Sequence, residues 1–206
     1  MNAGIVVFPE VEELDFAGPW EILGMWGAHA DGPAQRLLVA QSTTPVTCAK
    51  GLIVVPGASF AECPPLDILV VPGGQGTRRE VENESIISFI AAQAKHCKAV
   101  LSVCTGSFLL HRTGLLAGKR ATTHWNSLDR LKTLGDVVVV EDRFVRDGNI
   151  WSSAGVSAGI DMMLAFVASF AGEEAAAKTQ AAAEYYPSPV KYGSFHKYPK
   201  APQYLR

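Results

Sequence analysis

KAVLSVCTGSFLLHR (Lys98–Arg112) is the stretch on which the fold turns. Lys98–Val103 is a short apolar run without polar alternation, which predicts a strand buried on both faces, as in a parallel sheet. Phe108–Arg112 continues as helix. Between them stand only Cys104, Thr105, Gly106 and Ser107, so strand passes to helix through one sharp turn that small residues permit. That is the arrangement of a nucleophile elbow, in which the turn lifts one side chain above the edge of the sheet.

Working outward, Gly4–Phe8 (GIVVF), Arg36–Ala40 (RLLVA) and Asp67–Val71 (DILVV) are further strands. Val46–Ala49 and Leu52–Val55 read as a hairpin around Lys50-Gly51. Ala121–His124, Val137–Glu141, Phe144–Val145 and Ile150–Ser152 are strands as well, the last two joined by an Asp147-Gly148 turn. Helices are expected over Trp20–Trp26, Glu84–His96, Ser127–Leu134, Gly155–Ala171 and Glu173–Glu184, with a loop through Pro9–Leu14 before the first. Strands alternating with helices imply an α/β three-layer sandwich, a mostly parallel, flavodoxin-like sheet with helices on both faces. No repeat or linker divides the chain, so residues 1–206 are expected to form one domain. From Tyr185 onward Pro187, Pro189, Gly193, Pro199 and Pro202 predict an irregular tail, 185–206, that either wraps over the domain or frays. Sites in such sheets lie at the carboxyl ends of the central strands, where the loop after Gly4–Phe8, the Pro72–Gly76 loop and Cys104 would meet.

Composition narrows the function. Lys plus Arg number 18 against 20 Asp plus Glu, which leaves no basic footprint for nucleic acid. No apolar run reaches the roughly 20 residues of a membrane span, and Met1–Phe8 lacks the basic flank of a signal peptide. Cys48, Cys63, Cys97 and Cys104 form no CxxC pair and no zinc-spaced cluster, so free thiols in a reducing cytoplasm and no bound metal are expected.

Cys104 is the candidate nucleophile. A thiol at a helix N-terminus feels the positive end of the helix dipole, which favours the thiolate. The N–H of Thr105, with an N–H of Gly73 or Gly74, would bind a developing negative charge. The residues alone leave Cys104 open between this role and that of a buried structural thiol. Asp15, just ahead of Gly18-Pro19, is open between helix cap and general acid/base. His124 is open between base and hydrogen-bonded structural histidine. Cys48, Cys63 and Cys97 lack this setting and read as structural.

Four segments carry a resemblance: LDFAGPWEIL (Leu14–Leu23), DILVVPGGQGTRR (Asp67–Arg79), AVLSVCTGSFLLHRTGLLAGKRATTHW (Ala99–Trp125) and WSSAGVSAGIDMML (Trp151–Leu164). Through them the chain resembles the ThiJ/PfpI superfamily, with its class I glutamine amidotransferase-like fold. Asp-x-Ala-Gly-Pro together with Cys-Thr-Gly, and the ending EYYPSP (Glu184–Pro189), are similar to the isonitrile hydratase group within it. The resemblance implies hydration of an isonitrile to an N-substituted formamide. Cys104 would be the nucleophile, Asp15 the general acid/base, and Thr105 would position the acid or the intermediate. It also implies a small-molecule substrate, no cofactor and a homodimer with the first loop and helix near its interface. Two departures limit it within the superfamily. The peptidase-type members place a His after the nucleophile, where this chain has Thr105. The glyoxalase and deglycase-like members carry a Glu where this chain has Asp15. Another cysteine enzyme of the superfamily, or a redox-sensing or ligand-binding module, is the alternative.

Overall fold

A computed structural model describes residues 1–199 and 201–205. In chain order the first half contains strand β1 (Asn2–Val6), helix α1 (Glu13–His29), strands β2 (Gln35–Ala40), β3 (Val46–Thr47), β4 (Ile53–Val54), β5 (Ala58–Ser59) and β6 (Ile68–Val71), and helices α2 (Thr77–Glu80) and α3 (Glu84–Ala94). The second half contains β7 (Ala99–Val103), α4 (Gly106–Arg112), β8 (Arg120–Ala121), α5 (Leu128–Lys132), β9 (Val138–Val139), β10 (Phe144–Asp147), β11 (Ile150–Ser153), α6 (Ala158–Ala171) and α7 (Glu173–Ala182).

The main sheet runs in the order β10-β11-β7-β6-β1-β2-β5. Every pairing in it is parallel except β10 with β11, the predicted Asp147-Gly148 hairpin. One rung crosses the centre, Leu38–Ile5–Val70–Leu101–Trp151. Every residue of β6, β7 and β11 is buried, which is why these strands read as unbroken apolar runs. From β1 the chain winds out to β2 on one side and, through β6 and β7, to β11 on the other. Right-handed crossovers then place α1 on one face and α3 and α4 on the opposite one. The contacts agree: α1, α6 and α7 pack together, while α4 packs with α2 and α3. This is the expected mostly parallel α/β sheet with helices on both faces.

The structure departs from the expected elements in places that matter for the site. The first helix begins at Glu13, so Asp15 lies in its opening turn and Pro19 lies inside it. A proline there forfeits one helical hydrogen bond, and packing against α6 overrides that loss. Gly18 lies so close to α6 that a Cβ would sit 2.9 Å from Ile160 Cγ1, and a Cβ on Gly159 would press on Val103 at 3.1 Å with Pro19 beside it at 3.5 Å. The strand expected at Ala121–His124 ends at Ala121, which releases Thr123 and His124 to turn toward Cys104. β5 and α2 have no counterpart among the expected elements, both being too short to show a periodicity. Of the two courses expected for the tail, its described residues wrap back: Phe195 packs edge-on against Trp125 at 5.4 Å, Ala201 is buried, and the Gln203 N–H donates to Glu141 Oε1 at 2.8 Å.

The elbow itself depends on Gly106. A Cβ there would meet Val71 O at 2.0 Å and Pro72 O at 2.8 Å, main-chain atoms that cannot swing away. Gly106→Ala is therefore expected to cost about 1–3 kcal/mol and to lower Tm by about 3–10 °C in a thermal melt, with loss of Cys104 reactivity.

Candidate active site

Cys104 has φ +57°, a left-handed conformation uncommon for a non-glycine residue. Four contacts hold it there. Its N–H lies 3.2 Å from the carbonyls of both Ser153 and Ala154, while its carbonyl accepts from Thr123 Oγ1 at 2.9 Å and Ser107 Oγ at 3.3 Å. The strand-to-helix turn thus exists as an elbow, stapled to β11 and to the segment after β8.

Asp15 is fully buried and does not cap its helix, where Glu12 occupies the N-cap position without a side-chain bond. Its Oδ2 accepts from Gly73 N–H at 2.9 Å, its Oδ1 accepts from Val156 N–H at 3.1 Å, and the carboxyl is also a hydrogen-bond partner of Cys104. Burial pushes the Asp15 pKa up to about 7, against the opposing pull of the Gly73 N–H, with the nearby Glu12 charge adding to the rise. Val156 has φ +54°, a strained conformation for a β-branched residue, and it aims a main-chain donor at this carboxyl. Strain held in place by its surroundings marks a site where geometry has been given precedence.

Three expectations are corrected here. Cys104 is not held as a thiolate by its place ahead of α4, because burial outweighs any pull from the helix end. Burial, and the Asp15 charge after it, push the thiol well above its ordinary range, although Thr105 opposes them with bonds from both its N–H and its side chain. Gly73 and Gly74 do not offer free donors to an oxyanion. The Gly73 N–H is taken by Asp15, and the Gly74 N–H donates to Thr105 Oγ1 at 3.0 Å. Glycine is needed at both for close approach: a Gly73 Cβ would lie 2.5 Å from Thr105 N, and Gly74 has φ +125°. Thr105 N–H is directed at the Cys104 sulfur and serves the thiol itself.

Cys104 is 7% exposed, and that exposure opens onto a cavity of about 180 Å³ whose lining includes Thr105, His124, Glu12, Arg78 and Asn126. His124 therefore shares the cavity with the thiol. Its Nδ1 accepts from Asn126 N–H at 3.2 Å, which puts the ring proton on Nε2, and burial lowers its pKa. It is a neutral wall residue here, without a hydrogen bond to Cys104 among the described residues. A larger cavity of about 470 Å³ opens beside β1 and β2 over Phe8, Phe60 and Ile86 and contains none of these groups. Among the described residues no three His, Cys, Asp or Glu side chains are grouped to hold a metal ion, and no helix is long and apolar enough to cross a membrane. The sequence reading missed Val156 and Thr123, which act through main chain and hydroxyl and carry no motif. The only signal was the small-residue opening Gly155-Val156-Ser157.

Residues 1–169 match the model of the DJ-1/PfpI family. The chain belongs to that family. Isonitrile hydratase of Pseudomonas putida is 43% identical over 190 residues, covering 92% of this chain and 80% of that protein. The glutathione-independent glyoxalase DJR-1.2 of Caenorhabditis elegans is 30% identical, covering 84% and 90%. The crystal structure of a ThiJ/PfpI family protein from Pseudomonas syringae superposes with a TM-score of 0.86 at 35% identity, covering all of this chain and 82% of that one. This DJ-1/PfpI member therefore shares its fold with a family that includes enzymes.

The raised Asp15 pKa has a consequence for stability. Its folded value, about 7, exceeds the ordinary 3.8, so between those values the folded chain holds a proton that the unfolded chain releases. Stability then falls as pH rises through that window, by an amount on the order of 4 kcal/mol once Asp15 is fully ionised. Thermal melts from pH 4.5 to 8 are expected to show the wild type losing stability relative to Asp15→Asn, whose curve lacks this component.

Proposed function

We propose that this chain is an isonitrile hydratase, forming N-substituted formamides from isonitriles through a covalent thioimidate at Cys104. The observation that carries the reading is the pairing of a cavity-facing thiol on a strained elbow with a buried carboxyl whose pKa is about 7. A carboxyl titrating near the working pH can both take and give a proton. The 43% identity with the Pseudomonas putida isonitrile hydratase supports the substrate class.

The atoms balance as follows. Asp15 carboxylate receives the thiol proton as sulfur attacks the terminal carbon of R–N≡C, and that proton is delivered to the same carbon, giving R–N=CH–S–Cys104. Water then adds to the carbon, with Asp15 taking a proton and nitrogen gaining one. Collapse of the tetrahedral adduct forms the formyl C=O, breaks the C–S bond and returns a proton to sulfur. The product is R–NH–CHO. Gly73 and Val156 N–H groups hold Asp15 in its ionised form long enough to act, Thr105 donors stabilise the sulfur anion, and His124 offers an Nε2–H to the cavity. No metal or organic cofactor enters this scheme.

Formamide release from cyclohexyl isonitrile, followed by chromatography, is the direct assay. Cys104→Ala is expected to lower kcat by about 10³-fold or more, and Asp15→Asn by about 10²–10⁴-fold. kcat/KM should rise with pH through about 7 as Asp15 loses its proton, with no descending limb from the thiol at moderately alkaline pH. A wild-type enzyme inert toward several isonitriles would remove the reading. In that case loss of methylglyoxal is the next assay, given the glyoxalase relative.

We further read residues 1–206 as one domain in a homodimer of the cytoplasm. Four free thiols suit that compartment. The β3–β4 hairpin exposes Leu52, Ile53 and Val55, and Leu14 is also exposed at the start of α1, to which the hairpin is tied by Lys50 and Glu12. Such a patch suits a second copy. Light scattering is expected to give a dimer, which Ile53→Asp shifts toward monomer.

A further inference from the structure

Two residues of the quoted segments have no part in the proposed reaction: Asp161 in Trp151–Leu164 and Tyr185 in the ending EYYPSP. The fold brings them together. Glu184 has φ +48°, so the chain turns back sharply as α7 ends. Gln180 then grips Tyr185 at both main-chain groups. The Tyr185 N–H donates to the Gln180 carbonyl at 3.2 Å, and Gln180 Nε2 donates to the Tyr185 carbonyl at 3.1 Å. Held in this way, the Tyr185 hydroxyl donates to Asp161 Oδ1 at 3.0 Å. The other Asp161 oxygen, Oδ2, takes Arg143 Nε and Nη2, each at 2.7 Å.

Arg143 stands between this pair and the active site. Its Nη2 also donates to Ser157 Oγ at 3.1 Å, and its own carbonyl accepts from Ala154 N–H at 2.9 Å. One residue thereby holds both ends of the segment 154–157. That segment carries the Val156 N–H, 3.1 Å from Asp15 Oδ1, and the Ala154 carbonyl that tethers the Cys104 main chain. Its conformation needs holding, because Val156 sits at φ +54°, and such a torsion in a β-branched residue persists only where the surroundings over-determine it. Arginine suits the place: its planar fork spans Ser157 and Asp161 at once, which a single ammonium does not reproduce.

We infer that Arg143 is a positioning residue, braced by Asp161 and Tyr185, that fixes Ser157 and so aims the Val156 N–H at the Asp15 carboxyl. The tyrosine of EYYPSP then has a task, which is to close the brace from its far side. A main-chain donor favours the charged form of a carboxyl. When Ser157 is released, the strained turn relaxes, the donor moves off and the carboxylate loses part of that support. The inference rests on Asp15 as the acid/base of the proposed reaction. It is read on the carboxyl itself, without substrate, so its failure and the failure of the isonitrile reading are told apart.

The test is the titration of Asp15, followed by the NMR shift of its carboxyl carbon and assigned by the resonance missing from Asp15→Asn. The charged and titratable groups that act on Asp15 are Glu12 on its own helix and Cys104 on the elbow, with Lys50 nearby on the β3–β4 hairpin. Ser157→Ala alters none of them. It is expected to raise the Asp15 midpoint by about 0.5–1 pH unit. Arg143→Lys, which keeps the charge, should raise it by a similar amount, and Tyr185→Phe in the same direction by less. The double variant Arg143→Lys/Ser157→Ala should go no further than the larger single shift, since both act through one tether. Ser169→Ala is the control for a merely structural loss. It deletes a bond of the same kind on the same helix, the one from Arg146 Nη1 to Ser169 Oγ at 2.6 Å, and should leave the midpoint unmoved. Arg143→Lys carries the test should Ser157→Ala fail to fold. An unchanged midpoint in a folded Ser157→Ala or Arg143→Lys protein would overturn the inference. So would an equal shift in Ser169→Ala.

Discussion

A carboxyl group shut away from water needs donors around it, and the arrangement of Asp15 follows from that requirement. Two main-chain N–H groups and a thiol surround it, and they come from three separate connections of the sheet. The loop after β6 brings Gly73, the turn after β11 brings Val156, and the elbow after β7 brings Cys104. Asp15 itself arrives on the helix that follows β1. The carboxyl ends of four parallel strands are thus drawn to one point, and the crowding there explains the glycines at 73, 74 and 106.

The same requirement sets the protonation of the pair. Two main-chain donors partly compensate burial, and burial outweighs them, so the carboxyl titrates near neutrality instead of near 4. Its neighbour sulfur is pushed the same way, toward keeping its proton, with burial again the larger cause. Each group therefore holds its proton more firmly than it would in water. The charge cost of that poise falls on the fold, which is where stability and activity trade against each other.

Much of this was legible in the chain. The buried strands declared themselves as apolar runs, and Cys104 stood out because Val103 is followed at once by Cys-Thr-Gly. Asp15 was recognisable only by its company in Asp-x-Ala-Gly-Pro, since its position before Gly18-Pro19 equally suited a cap. What could not be read were directions of main-chain groups. Whether the Gly73 N–H faces a substrate or Asp15 depends on how far α1 slides along the sheet, and Pro19 hid the true start of that helix. Val156 has no signature because its contribution is a main-chain N–H aimed by a backbone torsion. A wrapping tail was one of two courses its prolines allowed, while its partners Trp125 and Glu141 are a matter of tertiary contact in a segment without periodicity.

The bond from Val156 to Asp15 spans 141 positions of chain. During synthesis Asp15 and Cys104 therefore emerge long before the donor that completes their enclosure. Until β11 is laid beside β7, the elbow lacks the Ser153 and Ala154 carbonyls that tether its main chain, and the sulfur stands in water as an ordinary thiol. A nascent chain thus carries an unguarded cysteine whose chemistry changes character only when its last strands dock.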